Sequence, residues 1–355
     1  MNVLLMRAGH IGSDYYRVDE PVRVVRELGV EATVQRGLST TMAPSPGDGE
    51  PEVQRVDAQG ADVVVLQLPK TLGMLQTLRA LQAQGVAVVV EMDDLLSAVP
   101  YGHPAHGALV RKGMGRFAME CAREADLVTA STPGLLKEYA PHGRGVVVPN
   151  AIPRRIAELP PAYERDPEVV TIGWTGNVAG HPYDLQAMES GLQQALDRTR
   201  GRSRFMILGQ KWDAQQRLRL PEDPVEMTWI PDVDQYMQAM GESFDIGIAP
   251  LRIDRFNECK SWLKPLEYAA RGVYGVHSPS SEYQRLALGW HARAPRDWAK
   301  WISVGVENAE QRRELAAANR EKVLAGHLTE DTAELWAAAW RAARDNRTRS
   351  QRLGA

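Results

Sequence analysis

Lysine is scarce in this chain and arginine abundant, so the pair Lys260 and Lys264, about one helical turn apart, is informative. The two lysines fall where a polar loop, Asp254–Ser261, gives way to a predicted helix over Trp262–Arg271. A helix start carries free backbone N–H groups and a partial positive charge, which makes such a junction an anion site. Lys260, Ser261 and Lys264 together can neutralise a diphosphate leaving group, stabilising charge where it develops. Glu267 lies about two turns into the same helix. A carboxylate there can accept from both hydroxyls of a ribose, as acidic residues do in dinucleotide folds. Lys260 and Glu267 are therefore candidate catalytic residues, and the competing reading of each is a solvated helix face.

Other residues can face the same ligand. The stretch Gly173–Asn177 follows a predicted strand, and glycine allows a turn there to approach a phosphate closely, which nominates Gly176 and Asn177. Lys211 follows the strand FMILG and can either reach a diphosphate or sit in a surface loop. Near the start, Gly9 and Gly12 flank the loop after the first strand, without the GxGxxG spacing, and Arg17 can clamp a phosphate or a second substrate. Asp93 and Asp94 end the strand VAVVVEM. They are adjacent and have no visible partner ligands, so a metal reading is rejected in favour of a cap or a contact to a second substrate. His103 and His106 follow in a loop, where a general-base role would need reach to an attacking hydroxyl, with an ordinary loop histidine as the alternative.

These residues need a scaffold, and the chain alternates short apolar runs with longer helical patterns, as parallel α/β folds do. Strands are expected at Val3–Met6, Val30–Val34, Asp62–Leu68, Val86–Glu91, Leu127–Ala130 and Gly145–Val148. The intervening helices are Glu20–Leu28, Leu72–Gln84, Ala105–Glu124 and Pro133–Glu138, with Ser39–Asp57 read as a mobile surface loop. After a proline-rich stretch suited to an interdomain linker the pattern restarts. Strands are then expected at Val169–Trp174, Phe205–Leu208, Val225–Ile230, Asp245–Pro250 and Gly275–His277. Helices are expected around Asp184–Leu196, Val233–Met240, Trp262–Arg271 and Ser281–Leu286, and from Pro295 onward only helix. Two such units place a ligand cleft at the carboxyl ends of their sheets.

Composition narrows the classes. At 355 residues the chain suits two domains, with 44% hydrophobic and 25% charged residues, an ordinary globular balance. A formal charge of −3 gives no global field for nucleic acid. Cys121 and Cys259 lie far apart without CxxC spacing, which points to two incidental thiols in a reducing compartment. No apolar run is long enough for a membrane span and the first apolar run is too short for a signal peptide, so the expected location is cytoplasmic.

Two segments carry a family resemblance. Asp245–Leu251, Lys264, Leu266–Ala270, Gly272 and Ser278 follow in order the pattern of the donor-binding half of retaining GT-B glycosyltransferases of the "glycosyl transferases group 1" superfamily. Val146–Ile152 is similar to the signature that ends the first domain there, and Gly12–Pro21 to the opening of one branch. The resemblance implies an acceptor domain over 1–150, a linker over 151–167, a nucleotide-sugar donor domain over 168–325, and a helix over 326–355 packing back toward the first domain. It also implies retaining, metal-independent transfer with the nucleoside-diphosphate sugar as co-substrate and no further cofactor. Donor contacts would come from Gly12, Gly176, Asn177, Lys211, Ile230, Asn257, Ser261, Lys264 and Glu267, with the nucleobase stacking near Trp229–Pro231. Arg17, Asp94 and His106 would face the acceptor, a glycan, lipid, protein or modified base, with Asp93 and His103 as catalytic candidates on that side. Many members carry two glutamates separated by seven residues, and here Cys259 holds the first place, with Glu258 and Asn257 beside it. A binding module without turnover and a sugar-nucleotide epimerase are the alternatives on the same fold. The apolar stripe Leu335, Trp336, Ala339, Trp340 and Ala343 is expected to pack inward, and the arginines beyond it to form a disordered tail.

Overall fold

The computed structural model describes residues 1–43 and 51–354. In chain order the strands are β1 (Asn2–Met6), β2 (Glu31–Gln35), β3 (Thr40–Ala43), β4 (Glu52–Val56), β5 (Val63–Gln67), β6 (Ala87–Met92), β7 (Leu127–Ala130) and β8 (Gly145–Val147) in the first half. The second half contributes β9 (Val170–Asn177), β10 (Ser203–Gln210), β11 (Val225–Met227), β12 (Ile246–Ala249), β13 (Tyr274–His277) and β14 (Trp290–His291). Two six-stranded sheets result, ordered β2-β1-β5-β6-β7-β8 and β11-β10-β9-β12-β13-β14. Every pairing within them is parallel. The central strands β5 and β6 are buried along their whole length, which is why they read as unbroken valine-rich runs instead of alternating ones.

Four expectations need correction. The segment read as a loop over Ser39–Asp57 contains the antiparallel pair β3–β4, whose Val56 enters the first core while Val53 packs against it; residues 44–50 of that segment lie outside those described. The stretch Gly173–Asn177, read as a turn, is the end of β9, which pairs with β10 out to Asn177. Gly176 and Gly209 sit side by side there, each with φ +139°. A Cβ on Gly209 would lie 2.1 Å from the Gly176 carbonyl oxygen, so two glycines let the strands approach where side chains could not. The helix expected over Ala105–Glu124 is divided at Gly113, in the left-handed region at φ 73°, into a π-helical turn Gly107–Arg111 and the helix Met114–Glu124. The arginine-rich end is helical through Gly354, not disordered: alanine and arginine favour the helix, and Asn346 Nδ2 donates to the Asp126 carbonyl at 2.9 Å.

That last helix, Ala333–Gly354, buries Trp336, Ala339, Trp340 and Ala343 against Val3, Leu5, Val65 and Val89 of the first sheet. Leu335 is 43% exposed and lies off the buried stripe. The proline-rich stretch after β8 is ordered too: Ile152, Ile156 and Ala162 are buried in the core of the second half.

One buried pair gives the fold a pH dependence. His277 on β13 is 1% exposed, stands 5.2 Å from the His291 ring, and is pushed down to about 3 by burial and then by His291. A depressed histidine stabilises the fold above its unfolded value near 6.5 and loses that contribution as pH falls toward 3. Urea unfolding between pH 7 and 5 is expected to show a total loss from this group of about 2 kcal/mol, the slope approaching its limit of about 1.4 kcal/mol per pH unit only below the unfolded value. The acid limb should be shallower in His277→Asn than in wild type.

Candidate functional site

The carboxyl ends of both sheets open onto one cleft with a cavity volume of about 390 Å³. From the first half it is lined by Gly12, Ser13 and Tyr16 after β1, Asp93 and Asp94 after β6, and Asn150 after β8. The second half supplies Gly176 and Asn177 at the end of β9, Trp229 and Ile230 after β11, and Lys260, Ser261, Lys264 and Glu267 after β12. Strand order in the second sheet reverses between β9 and β12, and the crevice outside such a switch point is where α/β sheets bind ligands.

The lysine corner is held by an unusual strap. Asp254 caps the short helix Arg255–Glu258, accepting from the Asn257 N–H at 3.0 Å. Phe256 and Cys259 then leave their own half and enter the hydrophobic core of the first. Thr132 Oγ1 donates to the Cys259 carbonyl at 2.9 Å, and Arg255 pairs with Glu138 at 2.7 Å. The chain emerges with Lys260 Nζ 2.9 Å from Asp94 Oδ1. Burial works against that ammonium, but Asp94 outweighs it and keeps Lys260 above its ordinary range. The helix Leu263–Ala270 follows, and among the described residues no side chain caps its first turn, so the N–H groups ahead of Pro265 remain open to a ligand. Lys264 sits 5.7 Å from the Trp174 ring centroid and is pushed below its ordinary range by burial and by Lys260.

Glu267, 5% exposed, accepts from the Tyr16 hydroxyl of the first half at 2.8 Å and the Tyr236 hydroxyl of the second at 2.9 Å. Burial raises its carboxyl above the usual range. Asp93 is also pushed up, by burial and by Asp94, and its Oδ1 is buried with no hydrogen-bond partner among the described residues.

The structure brings Gly12, Asp93, Asp94, Gly176, Asn177, Ile230, Lys260, Ser261, Lys264 and Glu267 to the cleft. Five other candidates are elsewhere. Arg17 is 1% exposed and points into the protein, onto Glu91 at 2.6 Å, so it clamps no substrate. Asn257 is 3% exposed and spends its amide on Asp184 and the Arg252 carbonyl. Lys211 turns away from the cleft to pair with Asp223. His103 Nδ1 accepts from the Ala105 N–H, and His106 Nδ1 meets the Val99 carbonyl oxygen, so both rings stabilise their own loop and neither lines the cleft. Tyr16, Tyr236 and His181 also line the cleft, and none is a candidate from sequence. Tyr16 lay within a recognisable stretch, but nothing local marks Tyr236, one tyrosine on a helix exterior pattern.

Two α/β sheets facing one cleft, with the final helix returning to the first sheet, define the GT-B class. Residues 189–338, which include the strap, both lysines and Glu267, match the family described as glycosyl transferase-like. The chain thus has the GT-B fold, and its second half resembles that family. No curated protein matches it by sequence. Among solved structures, it is similar to HepE from Anabaena in complex with UDP and glucose, at 14% identity and TM-score 0.63, covering 95% of this chain and 98% of that one. TarM from S. aureus, in a complex with UDP, is similar at 12% identity and TM-score 0.60, covering 78% of this chain. The chain spans 55% of TarM's length. A trehalose-6-phosphate synthase studied for glycosyl transfer with retention is similar at 15% identity and TM-score 0.53, covering 79% of this chain and 73% of that one. Identities this low carry the fold alone. Among the described residues no helix is long and apolar enough to cross a membrane.

Proposed function

We propose that the chain transfers a hexosyl or pentosyl group from a nucleoside-diphosphate sugar to an acceptor hydroxyl. The observation that carries this reading is the convergence, in one interdomain cleft, of Lys260, Lys264, an uncapped helix start and Glu267. The lysines and N–H groups would take the two phosphates and stabilise the departing diphosphate without a metal. Glu267 would hold the ribose. Its two tyrosine bonds occupy about half of the lone-pair sites of an ionised carboxylate, so acceptor capacity remains. Trp229 and Ile230 would face the base, and the first half, through Gly12, Asp93 and Asp94, would receive the acceptor. The outcome proposed is retention, the chemistry for which the similar trehalose-6-phosphate synthase was studied. The proposed location is cytoplasmic.

Stabilisation by ligand reports the donor directly, because anything that binds only the folded state raises the melting temperature. A screen of common sugar nucleotides and their diphosphates should give a shift for one nucleotide class. Donor hydrolysis, seen as released nucleoside diphosphate, would separate an enzyme from a binding module. Glu267→Gln is expected to weaken nucleoside-diphosphate binding about 10- to 100-fold, the range for one or two hydrogen bonds to a charged group. Its melting temperature should change little, since the amide oxygen still accepts from one tyrosine. Wild-type affinity in that variant, measured by calorimetry, would remove the ribose role.

A further inference from the structure

His181 lies just past β9 and lines the cleft. Its Nδ1 is 2.7 Å from Asp184 Oδ2, and its ring packs edge-on against Trp174 with centroids 5.5 Å apart. Asp184, 5% exposed, also accepts from the Arg252 N–H at 3.1 Å and from Asn257 Nδ2 at 2.7 Å. Three donors fix that carboxylate, so the ring it holds has one orientation. An acceptor-only partner requires Nδ1 to carry the proton, which leaves Nε2 of the neutral ring as a lone-pair acceptor. The ring is neutral at physiological pH because burial, and then Lys264, push it down to about 4.

The side chain is 20% exposed, lines the cleft, and has no protein hydrogen bond at Nε2 among the described residues. Its cleft neighbours Lys260 and Lys264 are donors only. The strap offers no substitute acceptor at Cys259, whose side chain is buried in the first core, with Sγ 3.4 Å from where a Cβ on Gly134 would lie. A sugar beside the diphosphate presents hydroxyl donors, and His181 offers them a neutral, oriented acceptor on the second half of the cleft, across from the Asp93 and Asp94 carboxylates of the first.

We infer that His181 is a specificity residue for the donor sugar, its Nε2 accepting a hydroxyl of the transferred sugar while Asp184 acts as its positioning residue. The inference rests on the cleft being a nucleotide-sugar site. It is tested by calorimetry on the full chain with UDP, UDP-glucose, GDP and GDP-mannose, using the diphosphate and sugar nucleotide that the wild type binds. His181→Ala should leave diphosphate affinity within about twofold and lower sugar-nucleotide affinity about tenfold, one hydrogen bond's worth. His181→Gln, whose amide oxygen can reach the place of Nε2, should keep most of that affinity. Equal losses for diphosphate and sugar nucleotide, no loss for either, or equal losses in the alanine and glutamine variants would each overturn the assignment while leaving the nucleotide site standing. A wild type that binds none of the four would overturn both readings.

Discussion

Lys264→Ala is expected to lower kcat/KM for the proposed sugar transfer by about 10²- to 10³-fold, the cost of removing one oriented donor from developing charge, while the protein folds as stably as the wild type. Lys264 and Lys260 differ in what they do before a ligand arrives. Lys260 is already neutralised in part by Asp94 at 2.9 Å and is held above its ordinary range. Lys264 has no ion-pair partner among the described residues, is depressed by burial and by Lys260, and lies over the Trp174 ring. A cation in that state is destabilising until an anion comes, so its binding energy is released at the moment of binding. Removing it should leave the melting temperature unchanged or slightly higher, because a repulsion is lost. Lys260→Ala should be the more damaging variant for the fold, since it takes the cation from Asp94 and leaves two adjacent carboxylates to repel each other. The depressed lysine also predicts proton uptake: an arriving diphosphate restores its ordinary affinity for protons, so calorimetric heats at alkaline pH should vary with the buffer's ionisation enthalpy. Equal activity in Lys264→Ala and wild type would remove the diphosphate reading of this corner.

Much of this corner was legible because its signals are local. A scarce residue type at helical spacing, at a loop-to-helix junction, needs no tertiary information, and Lys260, Ser261, Lys264 and Glu267 all reach the cleft. The parallel strands were legible for the same reason, each being a short valine-rich run buried on both faces. What failed depended on partners distant in sequence. Arg17 and Lys211 read as free cations because Glu91 and Asp223 were invisible beside them. Asn257 read as a ligand contact because the destination of the strap, the other half's core, cannot be inferred from its letters. The end of β9 read as a turn because glycines signal turns until a neighbouring strand requires them for close approach. His181 carried no signal alone, and it acquires one only with Asp184 at 2.7 Å.

The second large effect is on stability, and it reaches the cleft by one further step. Arg17 and Glu91 are 1% and 0% exposed at 2.6 Å, and the same guanidinium donates to the Val148 carbonyl at 2.7 Å and to Asn150 Oδ1 at 2.9 Å. It also lies 4.7 Å from the Trp336 ring, so the helix after β1, strand β6, the end of β8 and the final helix all meet at one side chain. Thr129 donates to the other oxygen of Glu91. Arg17→Ala strands a buried carboxylate and is expected to cost about 3–5 kcal/mol, a large share of the roughly 5–15 kcal/mol that holds a domain folded. The double variant Arg17→Met with Glu91→Leu removes both charges and should recover most of that loss, because the desolvation cost disappears with them. Recovery of function should not follow. Asn150 turns its amide nitrogen to Ser261 Oγ at 2.8 Å, at the start of the lysine helix, and Arg17 orients that asparagine through its carbonyl oxygen. Urea unfolding should therefore find the double variant near wild type, while its nucleoside-diphosphate affinity stays reduced by severalfold. Joint recovery of stability and affinity would show that Arg17 serves the core alone.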